Sequence, residues 1–211
     1  MPRILLALAL LLCLLPATAM ADPIQLSNQF GSVTILASGI TSRGSELMSL
    51  GGITASKGHA LGRVNFSTGA LIRGSLWTGG TFSSVGSVFD VIGQGHWMKQ
   101  LPGLAAERGK VALFTGAFIG TIEWTLVAAH NFFHEYQLTG NFQGTLGNGR
   151  VVSGVTKQTI NTYWNAEGIN HQGSIRTGTT SLGTPEPGSW ELLAIGLLTM
   201  VGLFRQRMAT T

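Results

Sequence analysis

Residues 132–146, which read FFHEYQLTGNFQGTL, decide the fold class of this chain. One parity carries the aromatic and apolar side chains, and the other carries mostly polar ones. The first parity holds Phe132, His134, Tyr136, Leu138, Phe142 and Leu146. A period of two is typical of a β-strand with one face buried. The segment therefore predicts one half-buried strand, or two strands in line.

A hairpin follows directly. Asn148-Gly149 is the pair that two-residue turns favour, because both central positions need positive φ, and residues 151–164 are rich in β-forming side chains. A two-residue turn pairs Gly147 with Arg150, Leu146 with Val151 and Phe142 with Val155.

The same strand pattern recurs elsewhere. Residues 114–122, FTGAFIGTI, match residues 138–146, LTGNFQGTL, at five of nine positions, and residues 68–76 form a looser copy. Unequal intervals do not define a solenoid. Further strand-like runs are Ser32 to Ala37, Ala60 to Phe66, Gly74 to Phe82 and Ser87 to Ile92. We expect an all-β fold, an antiparallel β-sandwich or alternatively a partly closed β-barrel.

The N-terminus is typical of a signal peptide. Arg3 precedes an apolar run from Ile4 to Leu15, and small residues follow Pro16. Either Ala17-Thr18-Ala19 or Ala19-Met20-Ala21 fits signal peptidase. We favour cleavage after Ala21, with Ala19 and Ala21 as the recognised small residues. Cleavage there removes Cys13, the sole cysteine, so the exported domain would have neither disulfide nor thiol nucleophile.

The C-terminal tail has three parts in a fixed order. Pro185-Glu186-Pro187 is followed by an apolar run from Trp190 to Phe204, and then by Arg205 and Arg207. Fifteen helical residues reach only about 22 Å, short of the roughly 30 Å hydrocarbon thickness. The arginines favour a cytoplasmic end, which leaves the preceding chain outside. These features predict a marginal single span, suited to a temporary anchor.

This order resembles the PEP-CTERM sorting signal of exported bacterial proteins, over about residues 185–207. The resemblance implies recognition and processing by an exosortase-type membrane protease, with Pro185, Glu186, Pro187, Arg205 and Arg207 as the signal. An ordinary C-terminal membrane anchor is the alternative. The expected organisation is a signal peptide at 1–21, a β domain at 22–180, a linker with the motif at 181–189, a transmembrane helix at 190–204 and a basic cytoplasmic tail at 205–211.

Charge and motifs give little support to catalysis. Between residues 22 and 184, ten Lys and Arg face seven Asp and Glu, too slight an excess to indicate nucleic acid. His130 and His134 lie in an extended setting, where a spacing of four separates them by about 13 Å. No spacing pairs the acids Asp90, Glu123, Glu135 and Glu167 for glycoside hydrolysis. We expect no cofactor, no metal site and no catalytic residue.

One segment interrupts the strand pattern. Residues 94–110 are expected to form a long connection with a helical turn, either covering one open end of the sheets or carrying a contact surface. Trp97, between His96 and Lys99 in the sequence, is the candidate ligand contact. Of the other tryptophans, Trp124 shares the parity of its strand's apolar residues, so a core position is favoured over a sugar-stacking platform.

Two functions remain open. The first is an exported, non-catalytic envelope or matrix protein, anchored by its tail and then displayed or released. Families with this tail often occur in bacteria that make extracellular polysaccharide, so the resemblance implies a role in biofilm or matrix. The alternative is an extracellular carbohydrate-binding module or weak glycan hydrolase. Expected partners are signal peptidase, the exosortase-type protease, the membrane before processing and possible extracellular polysaccharide.

Overall fold

The computed structural model describes residues 23–95, 97, 110–165 and 168–183. The expected signal peptide, Pro-Glu-Pro motif, membrane span and basic tail lie outside these residues, as does most of the 94–110 connection. Within the described part, no helix has the length and apolar character needed to cross a membrane.

The described chain is built of β-strands joined by short turns. The strands are β1 Ile24–Leu36, β2 Gly39–Leu50, β3 Ile53–Thr54, β4 Gly62–Ser67, β5 Leu71–Ser75, β6 Gly79–Ser83, β7 Val88–Gln94, β8 Lys110–Ala129, β9 Phe133–Leu146, β10 Val151–Asn165 and β11 Gly168–Gly183. The all-β prediction is confirmed. β11 reaches Gly183, three residues beyond the expected domain end at 180. The run Gly74 to Phe82, expected as a single strand, contains the end of β5, a turn and most of β6.

Eight strands close into an antiparallel barrel. Going round it, the order is β1, β2, β4, β7, β8, β9, β10 and β11, and β11 pairs with β1 to complete the ring. The predicted β-sandwich is wrong. The alternative prediction of a β-barrel is confirmed, although the ring is closed and not partly closed. The β8–β9 and β1–β11 pairings join what would otherwise be free sheet edges, so the barrel has no open edge strand.

The β9–β10 hairpin is confirmed, but its predicted register is wrong by one residue. Leu146 pairs with Arg150, the amide of Gly149 donates to the carbonyl of Leu146 at 2.8 Å, and Gly149 has φ of 84°. This is a three-residue loop ending in a left-handed glycine. Phe142 therefore lies opposite Gly154, not Val155. Opposed residues share one face of a sheet, and Gly154 leaves room for the inward ring whereas Val155 points outward.

An aromatic cluster fills the middle of the barrel. Phe89 and Phe142 stack with ring centroids 4.6 Å apart, and Phe114 contacts both rings edge-on. Small inward residues make this possible: a Cβ at Gly144 would lie 2.6 Å from Phe114 Cζ, and one at Gly154 would lie 2.5 Å from Phe142 Cζ. The repeated Thr-Gly-x-Phe pattern is thus an alternation of inward glycine and inward ring.

A polar network lies inside the barrel beside this cluster. The side-chain amides of Asn28 and Gln158 exchange two hydrogen bonds, of 2.9 and 3.2 Å. Asn28 also donates to Ser45 at 2.7 Å, and Gln158 donates to Thr156 at 2.7 Å. Thr156 in turn bonds Thr180. All five side chains are buried, and pairing offsets the cost of removing their polar groups from water.

Strands β5 and β6 leave the ring as a separate hairpin. β6 pairs with residues 121–125 of the long strand β8. Leu71 and Leu76 of this hairpin pack against the core. This hairpin therefore covers the part of β8 that extends beyond its pairing with β7.

Candidate ligand-binding groove

A groove runs along the outer face of β1, β2, β4 and β7. Three open basins of about 260, 660 and 730 Å³ follow one another. Arg43 borders the first two basins, and Arg63 and Gln94 border the second and third. Neighbouring basins share these lining residues, and the three basins together, from Ser32 to Trp97, are called the groove.

A polar row crosses the middle basin. The Gly44 amide of β2 donates to Asn65 Oδ1 of β4 at 2.7 Å. Asn65 lies opposite Asp90 of β7, and Asp90 lies opposite Thr115 of β8. Four adjacent strands thus present polar groups in a line, which a flat polar ligand could contact.

Asp90 has an unusual environment in this row. Burial raises the pKa of its carboxyl above the ordinary value, and a hydrogen bond from Thr115 partly opposes that rise. Its Oδ1 atom is buried and makes no hydrogen bond to the described part of the protein. Asp90 therefore keeps one carboxyl oxygen buried without a partner among the described residues, which carries a desolvation cost.

Charged side chains of both signs border the groove, with three cations and two acids among its described residues. Arg43, Arg63 and Lys110 are exposed along it, and none of them forms an ion pair within the described residues. Glu46 lies opposite Arg63 in the β2–β4 register and borders the third basin. The arginine side chains thus keep their planar guanidinium donors available for carboxylate or hydroxyl groups.

Trp97, the predicted contact residue, lines the far basin. Its indole N–H donates to the carbonyls of Leu61 and Gln94, at 2.7 and 2.8 Å, and its ring packs partly against the core. These bonds fix the ring beside β4 and β7. A ligand would meet carbon atoms of the ring, since the indole N–H is already bonded to the protein.

The other sequence candidates lie apart from this groove. Glu123 accepts a long 3.5 Å bond from Thr81, and Glu135 pairs with Arg176. Trp124 is buried in the core, as predicted. His134 lies beside Tyr136 in β9. His96, Lys99 and Glu167 fall outside the described residues, and so do the sorting and signal-peptidase residues.

In the described ranges, no group of three or more His, Cys, Asp or Glu side chains converges as metal ligands would. The carboxyl, amide and guanidinium groups of the groove lie singly and do not cluster. Such groups are suited to hydrogen bonding.

Sequence reasoning missed Arg43 and Arg63. They are 20 residues apart and border the same basin only because β2 and β4 pair, with an irregular register between Ser42 and Ser45. Gly44, at φ of 70°, lies inside that irregularity. A glycine after Arg43 was the available signal, but nothing in the sequence indicates which strand lies alongside.

No protein-family model, curated protein or solved structure matches this chain.

Proposed function

We propose that this chain is an exported, non-catalytic cell-envelope or extracellular-matrix protein that is sorted and processed through its C-terminal tail. The observation that carries the proposal is the order of Pro185-Glu186-Pro187, the apolar run 190–204 and the terminal arginines. In this proposal the tail anchors the chain in the membrane until an exosortase-type protease acts. The barrel is then displayed on the cell surface or released.

The construction of the barrel is compatible with this role. Cys13 is the only cysteine of the chain, so the barrel is stabilised without disulfides by its aromatic cluster and buried polar network. Ring closure pairs the strand edges that would otherwise promote association. Such a domain depends on no particular redox environment, so export does not compromise its stability.

The sorting role can be tested in the native host. Alanine at Pro185, Glu186 and Pro187 together should leave the protein membrane-bound at the size expected for an unprocessed tail, measured by fractionation and intact mass. Alanine at the adjacent Gly188 and Ser189 is the matched control and should leave processing unchanged. Normal processing and release of the triple variant would overturn the proposal.

A second candidate function is carbohydrate binding, and the groove favours it. A row of neighbouring basins with guanidinium groups, amides and a half-buried indole ring has the chemistry that extended glycans use. Exposed arginines favour acidic polysaccharides over neutral ones. In this reading the barrel attaches to the matrix through its outer face.

Affinity electrophoresis of the full chain through gels containing a polyuronate or a neutral glucan would test this function. The wild-type protein should be retarded by the polyuronate, and Arg43→Gln with Arg63→Gln should abolish most of that retardation. Arg73→Gln with Lys157→Gln removes the same charge from exposed positions outside the groove, and should have little effect. Equal losses in both double variants would indicate unspecific charge attraction and reject the groove.

A further inference from the structure

One end of the barrel contains an apolar cavity of about 370 Å³. Its walls come from six strands, so it occupies the mouth of the ring and not a crevice between two strands. The walls are formed chiefly by Leu26, Leu50, Leu113, Phe114, Leu146 and Leu182. This cavity is separate from the outer groove.

The aromatic cluster forms the floor of this cavity. Phe114 lines the cavity and contacts Phe89 and Phe142 behind it, at centroid distances of 6.1 and 5.2 Å. Because these rings occupy the middle of the barrel, the cavity has a closed inner end. A guest would enter from the rim, opposite these rings.

The rim differs from the walls. Asn148 and Arg150, from the β9–β10 turn, are exposed at the edge of the cavity. Arg150 forms no ion pair with the described residues, and no acid is found among the described residues that line the cavity. The cavity is therefore apolar within and carries positive charge at its lip.

We propose that the barrel mouth binds a single-chain amphiphile, with its hydrocarbon chain among the leucines and its anionic head beside Arg150. The volume lies near the lower end of the roughly 300–1,000 Å³ range of small-molecule sites, which suits one acyl chain and not two. Each buried methylene contributes to affinity by the hydrophobic effect. The Arg150 guanidinium selects a carboxylate or similar anion as the head.

Photoaffinity labelling of the full chain in nanodiscs would test this site. The probe is dodecanoate carrying a diazirine near the end of its chain, and labelled residues are identified by mass spectrometry. We expect labels on the leucines of the cavity wall. Unlabelled dodecanoate should compete, 1-dodecanol should compete more weakly, and dodecyltrimethylammonium should compete least.

Two variants separate the chain and head contributions. Leu146→Trp fills the partly buried edge of the cavity and should remove most of the labelling. Ile72→Trp adds the same ring at an exposed position of β5 and should leave labelling unchanged. Arg150→Gln should lower the competitive strength of dodecanoate about fivefold without affecting 1-dodecanol, whereas Arg43→Gln in the outer groove should change neither.

Three results would overturn the proposal. One is labelling scattered over the outer surface or absent. Another is labelling that Leu146→Trp does not reduce while circular dichroism shows a native fold. Equal competition by the anionic and cationic amphiphiles would reject the role of Arg150. Processing of the C-terminal tail does not enter any of these outcomes, so this test is independent of the sorting proposal.

Discussion

Trp124 and Tyr136 stack face to face, with ring centroids 4.4 Å apart and an interplanar angle of 7°. Both rings are buried, and both donate hydrogen bonds to the same turn. Trp124 Nε1–H bonds the carbonyl of Leu76 at 3.0 Å, and the Tyr136 hydroxyl bonds the carbonyl of Trp77 at 2.9 Å. The stacked pair thus attaches the β5–β6 hairpin to the barrel through two consecutive backbone carbonyls.

Replacing Tyr136 with phenylalanine should loosen this attachment. The stacked ring remains, but the Trp77 carbonyl loses its hydroxyl donor, so we expect a loss of about 1–2 kcal/mol in the free energy of unfolding. Urea denaturation measures the loss, and hydrogen exchange should show faster exchange in residues 71–83. Tyr163→Phe changes an exposed tyrosine and should stay within about 0.5 kcal/mol of wild type.

Tyr136 should also lose its hydroxyl proton at a higher pH than an ordinary tyrosine does. Burial raises the pKa of Tyr136 to about 12, from an ordinary value of 10.0. The unfolded chain loses this proton first, so stability should fall as the pH rises from about 10 towards 12. In Tyr163→Phe, where Tyr136 is the remaining tyrosine, absorbance at about 295 nm should report a midpoint near 12. A midpoint near 10 in protein that is still folded by circular dichroism would contradict the burial argument.

The carboxyl of Asp90 should make the stability of the fold depend on pH in the acidic range. Because burial raises the pKa of its carboxyl above 3.8, the folded state binds a proton more tightly than the unfolded state does. The resulting penalty grows as the pH rises through the raised pKa and is complete above it. Asp90→Asn should therefore increase the melting temperature at about pH 7 and leave it nearly unchanged at about pH 3. A decrease at pH 7 would show that the ionised carboxylate is stabilising.

Even a methyl group in place of the hydrogen at Gly154 should lower the stability of the barrel. A Cβ there would lie 2.3 Å from the Ser181 carbonyl oxygen and 2.5 Å from Phe142 Cζ, whereas a Cβ at Gly183 would meet nothing within 4 Å. Gly154→Ala should cost about 1–3 kcal/mol of stability, measured by denaturant unfolding. Gly183→Ala is the matched control in the neighbouring strand. Equal effects of the two substitutions would argue against the observed register.

The buried amide pair of Asn28 and Gln158 should show strong coupling. Asn28→Leu alone leaves the Gln158 amide short of a partner, and Gln158→Leu does the same to Asn28. We expect each single variant to be destabilised, and the double variant to lose less than the sum, with a coupling of about 0.5–3 kcal/mol. A double-mutant cycle in urea measures this, and strict additivity would mean that the two amides do not interact.

The fold class could be predicted because its signal is local. Alternation along residues 132–146 reports burial of one face, whatever lies opposite. Barrel closure could not be predicted in the same way. It depends on pairing between β1 and β11, which are separated by nearly the whole described chain, and no local pattern specifies that partner.

The hairpin shows the same limit on a finer scale. Asn148-Gly149 located the turn correctly. In the loop, however, Gly149 has a positive φ and Asn148 does not, so the loop holds three residues and the register shifts by one. The candidate groove was still less visible. Trp97 stood out because it lies in a segment without alternation, whereas strand pairing alone brings the two arginines to the same basin.

The seam between β1 and β11 also limits when folding can finish. Ile24 pairs with Leu182, so the first strand has no final partner until the last one is available. In the export route proposed above, the chain crosses the membrane from its N-terminus. The ring would then close only after about 160 residues have emerged, so translocation ends before the native topology can be completed.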